Sequence, residues 1–455
     1  MRNKNWKLYF FLALLVAGYF LFGYFIQREN FIEVASVYLV LFAAYVFIAR
    51  RSSDESFTLL LIAAILFRLI FLFSIPKLSD DYFRFIWDGK MTNMGVNPFS
   101  QIPSFFILYS DHPDPYLMHL YAQMNSQDYY SIYPPVMQFI FAFAVWLFPG
   151  NITGAVVVMR IFCVAAEIGT LFLLKKLLEH FHLQKTNLFW YALNPLVIIE
   201  LSGNIHFEAV MIFFLLLAVW MLLTSLRGAE RRNTLQRFQS AIMYGFSICT
   251  KLIPLLFLPF LVKRLEWKKS FVYFIITGIS FMLLFLPFID KQLIENIGSS
   301  VDLYFQKFEF NASIYYIIRW IGFEVKGYDI IQSAGPWLAI AVFISVMILM
   351  IAEKKISERN FFFMMQWSLT IYLLLSTTVH PWYLTTLVML SVFTEMKFAI
   401  VWSLVVILSY ATYQTQPYHE NLWLTSIEYV LVISVLGLEI SGAARIQRSG
   451  YVKTS

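Results

Sequence analysis

The 455-residue chain contains little cysteine and little charge. Its two cysteines, Cys163 and Cys249, both lie inside apolar runs, so the sequence offers no disulfide framework and predicts two buried thiols. Only 14% of the residues are charged, compared with roughly 25% in a typical soluble domain. Hydrophobic residues make up 60% of the chain and aromatic residues 19%. This composition predicts a polytopic α-helical membrane protein.

The apolar stretches are continuous and do not alternate with polar residues, which excludes an outer-membrane barrel. A bilayer crossing needs about 20 apolar residues. We predict an all-α transmembrane bundle with about 13 or 14 spans, which lie at 6–26, 32–49, 57–75, 152–174, 187–201, 207–225, 240–250, 252–264, 271–289, 335–351, 361–376, 381–395, 398–413 and 424–440. No polar stretch is long enough for a separate soluble domain, so residues 1–455 are predicted to form one domain.

Basic residues cluster in the loops that these spans place on one side of the membrane. The clusters are Arg2/Lys4/Lys7, Arg50/Arg51, Lys175/Lys176/Lys185, Arg227/Arg231/Arg232/Arg237, Lys263/Arg264/Lys268/Lys269, Lys354/Lys355/Arg359 and Arg445/Arg448/Lys453. Because cytoplasmic loops carry an excess of lysine and arginine, both termini are predicted to be cytoplasmic. This topology requires that 134–148 forms an interfacial or re-entrant helix. The net charge of +6 is scattered over these loops and predicts no nucleic-acid partner.

An acidic motif follows the span at 57–75 directly, with the sequence Ser79-Asp80-Asp81-Tyr82-Phe83-Arg84-Phe85-Ile86-Trp87-Asp88-Gly89. At helical spacing, Asp81, Arg84 and Asp88 share one face. We predict a short helix at the membrane surface, inside a long outer loop at 76–151 that carries the chemistry. A second outer loop is predicted at 290–334.

The adjacent carboxylates of Asp80 and Asp81 repel each other, so one of them is expected to have a raised pKa, as a general base requires. The alternative is a structural role, with Asp80 as a helix N-cap and Asp81 as a first-turn acid.

Other outer loops contain polar residues at the ends of spans. Glu200, Asn204, His206 and Glu208 gather where two spans meet, which favours a binding site over ordinary loop polarity. Metal binding by His206 and Glu208 is weakly supported, since an i, i+2 spacing does not share a helical face.

Four charged residues are predicted inside the bundle. Lys251 lies at a proline-rich break and needs an anion, either a lipid-linked phosphate or an internal partner, Glu167 or Glu200. Arg160 and Glu167 are predicted to form an internal pair or other polar contacts within the bundle, and Arg68 to snorkel or to bind a headgroup.

Near the C-terminal spans, His380 is positioned to donate to a phosphate or a sugar hydroxyl. Trp382 and Tyr383 are positioned to stack on a pyranose, or to belong to an aromatic belt.

Read in order, several motifs together resemble the GT-C-type glycosyltransferases that use polyprenol-phosphate mannose. They are Asp80-Asp81-Tyr82-x-Arg84-x-x-Trp87-Asp88-Gly89, Asn97-Pro98-Phe99, Tyr133-Pro134-Pro135, Asn194-Pro195-Leu196, Gly203-Asn204-x-His206-x-Glu208, Lys251-x-x-Pro254, Asn311-x-Ser313 and His380-Pro381-Trp382-Tyr383. The chain departs from the family at 204–208, where Asn-Gly-His-Asn-Asp is frequent. The resemblance implies a GT-C-like fold with a membrane-level cavity that opens to the outer side, and inverting transfer from a lipid-linked sugar.

The resemblance implies a role for each of the candidate site residues. The base is Asp80 or Asp81. The donor phosphate is bound by Arg84, Lys251 and His380, and the sugar or acceptor is bound by Asp88, Asn204, His206, Glu208, Asn311, Trp382 and Tyr383. No cofactor is expected, although a divalent ion beside Asp80 and Asp81 is an alternative that we do not favour.

The expected partners are a polyprenyl-phosphate sugar, a glycan or lipid acceptor and membrane lipids. The expected location is the bacterial inner membrane, with the site on the periplasmic side. A transporter or flippase of lipid-linked saccharides is the competing function, but it leaves the acids of the outer loops unexplained.

Overall fold

The computed structural model describes residues 6–110, 112, 114–226, 230–306 and 308–452. The basic residues Arg2, Lys4, Arg227 and Lys453, on which the predicted topology partly rests, lie outside the described residues. The side chains of Arg231, Arg232, Arg445 and Arg448 also lie outside the described part.

The described chain is helical, without a β-strand, and contains one isolated bridge between Phe310 and Thr378. The α-helices are α1 (Trp6–Tyr24), α2 (Phe31–Arg51), α3 (Phe57–Ile70), α4 (Asp81–Asn93), α5 (Pro103–Leu108), α6 (Pro115–Gln123), α7 (Pro135–Leu147), α8 (Ile152–His180), α9 (Phe189–Ala192), α10 (Pro195–Val197), α11 (Glu208–Ser225), α12 (Glu230–Ile248), α13 (Val262–Leu265), α14 (Trp267–Phe285), α15 (Leu293–Gln306), α16 (Ile314–Lys326), α17 (Ile331–Ala352), α18 (Glu358–Leu375), α19 (Leu384–Thr394), α20 (Phe398–Val405) and α21 (Leu422–Val452). A π-helical segment spans Ile198–Gly203, and 3₁₀ segments span Lys185–Leu188, Ile253–Leu261, Leu286–Phe288, Pro381–Tyr383 and Val406–Gln414.

The prediction of a polytopic helical membrane protein is confirmed. Within the described ranges, seven helices are long and apolar enough to cross a membrane, namely Trp6–Tyr24, Phe31–Arg51, Ile152–His180, Glu208–Ser225, Trp267–Phe288, Ile331–Ala352 and Leu422–Gly442. Shorter apolar helices of 10–17 residues occur at Phe57–Ile70, Pro135–Leu147, Pro381–Thr394 and Phe398–Gln414.

Two predicted spans are broken into short segments. The span predicted at 187–201 is interrupted at Pro195, which lacks an N–H, and Asn194 caps the new helix by accepting from the Leu196 N–H at 3.0 Å. The limb predicted at 252–264 is a 3₁₀ helix over Ile253–Leu261, which contains Pro254 and Pro259.

Helix α7 is the segment that the topology requires not to cross. Its 13 residues extend about 20 Å at 1.5 Å per residue, less than the roughly 30 Å of a hydrocarbon core. Helix α7 packs so closely on α4 at Gly89 that there is no room for a side chain there. A Cβ atom at this position would lie 2.5 Å from the Phe141 carbonyl oxygen. Phe85 of α4 stacks on Phe141 at 4.6 Å.

The acidic motif forms the predicted short helix, α4, but its apolar side chains do not face lipid. Phe85, Ile86 and Trp87 are buried in the protein, with Phe85 against α7 and Trp87 beside Phe106 at 5.9 Å.

The buried charges pair differently from the prediction. Glu167 accepts from Arg68 Nη2 at 2.9 Å and from the Tyr191 hydroxyl at 2.5 Å, and its side chain has no exposed surface. Arg160 donates to the carbonyls of Ser202 and Gly203 at 2.7 and 3.0 Å. Of the two alternatives predicted for Arg160 and Glu167, polar contacts within the bundle are confirmed, and a direct pair is not formed. The predicted headgroup contact of Arg68 is wrong, because the third span packs against the fourth and brings Arg68 to Glu167.

The loops predicted to be cytoplasmic meet at one end of the bundle. Lys185 pairs with Asp54 at 3.4 Å, His180 lies 2.8 Å from Glu358, and Arg264 pairs with Glu353. Helix α2 runs from the opposite end, where it begins shortly after Arg28, to Arg51 at this end.

Candidate active site

A cavity of about 1020 Å³ opens at the end of the bundle where α4 begins. Seven of the predicted site residues line it, and they are Asp80, Asp81, Arg84, Lys251, His380, Trp382 and Tyr383. The start of α4 and the segments 125–133, 308–310, 378–383 and 412–423 contribute most of the wall.

Asp80 is held by two segments that are distant in sequence. Arg28 Nη2 donates to its Oδ2 at 3.1 Å, and Asn125 Nδ2 donates to its Oδ1 at 2.9 Å. Asp80 occupies the N-cap position of α4, but its side chain accepts no capping hydrogen bond. Asp80 is therefore at the N-cap position, as the structural alternative predicted, but it does not form the expected capping hydrogen bond.

Asp81 is half-buried at the cavity wall. The pKa of its carboxyl group is raised to about 7, mainly by burial and also by the charge of Asp80, while Lys251 opposes the shift. A raised pKa was expected from the repulsion between the two acids, but burial is the larger cause. A carboxyl group with this pKa can take up and release a proton near neutral pH.

Arg84 and Asp88 form a buried pair beneath the cavity. Arg84 Nε donates to Asp88 Oδ1 at 2.7 Å, and Arg84 Nη1 donates to the carbonyls of Ser126 and Tyr129 at 2.8 and 2.9 Å. Asp88 Oδ2 accepts from the Ser131 hydroxyl at 2.5 Å and from the Gln138 amide at 3.0 Å. These bonds tie the 126–131 segment of the wall to α4.

Lys251 reaches the cavity from the break after α12. Its ammonium lies 2.8 Å from Glu208 Oε1 and 5.9 Å from the centre of the Tyr383 ring. The internal partner is thus Glu208, whose side chain has no exposed surface, and not Glu167 or Glu200. The Lys251 side chain is 21% exposed, so the same ammonium can contact a ligand.

His380 lies in a stack of aromatic rings. It is 4.3 Å from Trp382 and 4.8 Å from Phe310 between ring centres. The pKa of His380 is lowered to about 3, mainly by burial and also by His206 and Lys251. The imidazole is therefore neutral, so it can form a hydrogen bond to a phosphate but does not supply a positive charge.

The sequence model of the MptA/B family, described as the N-terminal domain of alpha-(1→6)-mannopyranosyltransferases, matches residues 23–266, more than half of the chain. The chain belongs to this family of mannosyltransferases. The match includes Asp80, Asp81 and Lys251, and it ends before His380. Neither the curated proteins nor the solved structures contain a match to the chain.

Five residues predicted to bind the sugar or the acceptor do not line the cavity of this mannosyltransferase. Asp88 is used by the buried network described above. Asn311 is fully buried, where its amide donates to Glu428 at 3.1 Å and its N–H donates to Glu420 at 2.8 Å. Asn204, His206 and Glu208 lie beneath the wall and contact the residues that form it.

The cavity also contains residues that the sequence analysis missed. Arg28 contacts Asp80, donates to the Tyr418 hydroxyl at 2.9 Å and lies 5.0 Å from the centre of the Tyr413 ring. The signal for Arg28 was its place in the short outer connection between the first two spans, where a charge is unexpected. Asn125 carried no local signal, because it comes from an irregular part of the long outer loop.

Among the described side chains, no group of three or more His, Cys, Asp or Glu residues is arranged to hold a metal ion. At the place where a divalent ion was considered, both oxygens of Asp80 already accept hydrogen bonds. That transfer needs no metal stays a prediction.

Proposed function

We propose that this mannosyltransferase transfers a mannosyl residue from a polyprenyl-phosphate donor to a glycan or lipid acceptor, with inversion at the anomeric carbon. The observation that carries the proposal is the position of Asp81. Its carboxyl group, with a pKa raised to about 7, lies on the wall of a large cavity that Lys251 and Arg28 also line.

In the proposed reaction, Asp81 is the base. As the acceptor hydroxyl oxygen forms its bond to the anomeric carbon, the hydroxyl proton passes to the Asp81 carboxylate. The bond between the anomeric carbon and the phosphate oxygen breaks on the opposite face, and its electron pair leaves with the polyprenyl phosphate. Asp80 is less suited to this role, because Arg28 and Asn125 already donate hydrogen bonds to both of its carboxylate oxygens.

The departing phosphate needs positive charge, since it gains negative charge in the transition state. Lys251 supplies an ammonium at the cavity wall, and Arg28 supplies a guanidinium next to the acids. Arg84 also lines the cavity, although it is largely occupied by Asp88 and two carbonyls. His380 contributes a neutral hydrogen bond, and Trp382 and Tyr383 offer ring faces to a sugar.

The proposed location is the bacterial inner membrane, with the cavity on the periplasmic side and both termini in the cytoplasm. The basic residues at the end of the bundle away from the cavity support this orientation.

Reconstituted protein tests the reaction. Vesicles that contain the purified chain receive radiolabelled polyprenyl-phosphate mannose, with and without a mannoside acceptor. We expect a new glycosidic bond and free polyprenyl phosphate, both dependent on the acceptor. Movement of intact donor across the bilayer without a new bond would instead support the transporter alternative, which family membership disfavours.

Cysteine labelling tests the orientation, because the two native cysteines are buried and give little background. In intact cells, an impermeant thiol reagent should label Gln101→Cys on the cavity side. It should not label Lys354→Cys until the cells are opened. The reverse pattern would overturn the proposed topology.

A further inference from the structure

The segment Asn204–Glu208 lies beneath the cavity, and its three polar side chains contact three different parts of the wall. Asn204 Oδ1 accepts from the Leu78 N–H at 3.4 Å, just before the acidic pair. His206 stacks on Trp382, with ring centres 3.7 Å apart and planes 17° apart. Glu208 pairs with Lys251 at 2.8 Å.

The backbone of this segment is strained. Ile205, between the first two of these polar residues, has a φ of +54° and a fully buried side chain. A β-branched residue is very rarely found in the left-handed region, and such strain persists only where the surroundings enforce it, most often near functional sites. Ile205, the strained residue, separates Asn204 from His206 in the chain, and the side chains of these two neighbours contact different parts of the cavity wall.

We propose that Asn204–Glu208 is a positioning segment, which sets the places of the acidic turn, the Trp382–His380 ring stack and the Lys251 ammonium without contacting the substrate. This inference rests on the proposed function. It gives a role to Asn204, His206 and Glu208, which do not line the cavity. Within the segment, His206 makes the inference testable, because it acts on the cavity through one identified neighbour.

The ring stack has one fixed side and one side that depends on His206. On the Phe310 side, the backbone is fixed, since the Phe310 N–H donates to Thr377 at 3.1 Å and its carbonyl accepts from Val379 at 2.8 Å. On the other side, Trp382 rests on the His206 ring, and His206 Nε2 lies 3.3 Å from Glu200 Oε2. Glu200 is itself fixed by the hydroxyl of Tyr410 and the amide of Asn204, at 2.5 and 3.0 Å.

Loss of the His206 ring would therefore leave an empty space under Trp382. Trp382 can then settle into that space, and His380 loses the surface that holds its ring at the cavity wall. A displacement of about 1 Å at a substrate-binding group is enough to reduce a rate by 10- to 100-fold.

A double-mutant cycle on kcat/KM tests the inference in full-length protein. We expect His206→Ala and Trp382→Ala to lower kcat/KM by about 10-fold or more each, and the double variant to be no worse than Trp382→Ala alone, because His206 acts through Trp382. His206→Phe, which keeps a flat ring under Trp382, should recover most of the loss. His119→Ala, at an exposed histidine of α6, serves as the control for handling and expression.

Lys251→Met provides the matched comparison, because Lys251 is held by Glu208 and not by His206. In the double variant, the fold-losses of kcat/KM caused by Lys251→Met and by His206→Ala should multiply, as expected for independent sites. If the losses from His206→Ala and Trp382→Ala multiply in the same way, or if His206→Phe is as impaired as His206→Ala, the positioning role is overturned.

A measurement without substrate separates this inference from the proposed function. With 5-fluorotryptophan incorporated, the ¹⁹F resonance of Trp382, assigned from Trp382→Phe, should shift in His206→Ala while most other resonances stay unchanged. An unchanged Trp382 resonance would overturn the positioning role even if the protein transfers mannose. A shifted resonance in a protein that cannot transfer mannose would leave the positioning role and reject the reaction.

Discussion

The described part of the bundle contains several arginine–carboxylate pairs, and two of them differ in what surrounds the charges. In the core, Glu167 accepts from Arg68 and Tyr191, and neither member of the ion pair has exposed surface. At the cavity, Arg28 neutralises Asp80, while the adjacent Asp81 stays half-buried with a raised pKa. The comparison teaches that a closed pair holds helices together, whereas an incompletely neutralised acid beside a cavity is suited to proton transfer.

The largest expected effect is a loss of reaction rate on changing Asp81 at the cavity. Asp81→Asn removes the proposed base and should lower kcat by about 10²- to 10⁴-fold, without loss of folded protein. Transfer of radiolabelled mannose in vesicles measures the rate, and size-exclusion chromatography in detergent measures the fold. Asp128→Asn, at an exposed acid of the same outer loop, is the control. Full activity of Asp81→Asn would show that the base lies elsewhere.

The core pair should instead affect stability. Glu167→Gln leaves Arg68 as an uncompensated buried charge and should destabilise the protein by about 3–5 kcal/mol. The loss of monodisperse protein after heating in detergent measures this effect, with the exposed Glu295→Gln as the control.

Replacing both members of the core pair, as in Arg68→Met with Glu167→Leu, should cost much less than Glu167→Gln, since no unpaired charge stays in the bundle. A double variant that is less stable than Glu167→Gln would contradict the assignment of this pair as purely structural.

A third expectation concerns pH. Because Asp81 must be ionised to accept a proton and its pKa is raised to about 7, kcat/KM should fall as the pH decreases below that value. The expected slope is about tenfold per pH unit. Initial rates between pH 5 and pH 9, roughly the range in which such a group titrates, measure it. An activity that is flat across this range would contradict the role of Asp81.

The smallest expected effect is that of Asp80→Asn. The charge of Asp80 raises the pKa of Asp81, so its removal should move the acid limb of the pH profile to lower pH. At high pH the rate should fall less than in Asp81→Asn, by about tenfold or less. A limb that moves to higher pH, or a loss as large as that of Asp81→Asn, would make Asp80 the base.

The sequence predicted much of the fold and about half of the site, for identifiable reasons. Long apolar runs report membrane helices directly, and the paired acids before α4 are visible as a local motif. The break at Pro195 and the 3₁₀ form of Ile253–Leu261 were harder, because a proline marks a disturbance of the helix without giving the path beyond it.

The residues that were misplaced all depend on contacts between distant segments. Asn311 and Asp88 are polar residues beside the predicted site, but their partners, Glu428 and Ser131, come from other parts of the chain. Arg28 was missed for the same reason, since its neighbours Asp80 and Tyr418 are 52 and 390 positions away. Local pattern identifies which residues are polar, and only packing decides which of them reach the cavity.

The bridge from Arg28 to Tyr418 has a consequence for biosynthesis. The two residues are 390 positions apart, so Arg28 leaves the ribosome long before Tyr418 and their contact forms only after 412–423 has been made. A chain that stops after the matched family region retains both acids yet has no counterpart for this arginine from 412–423. A nascent polypeptide of that length therefore carries the acids and the arginine but lacks part of the cavity wall.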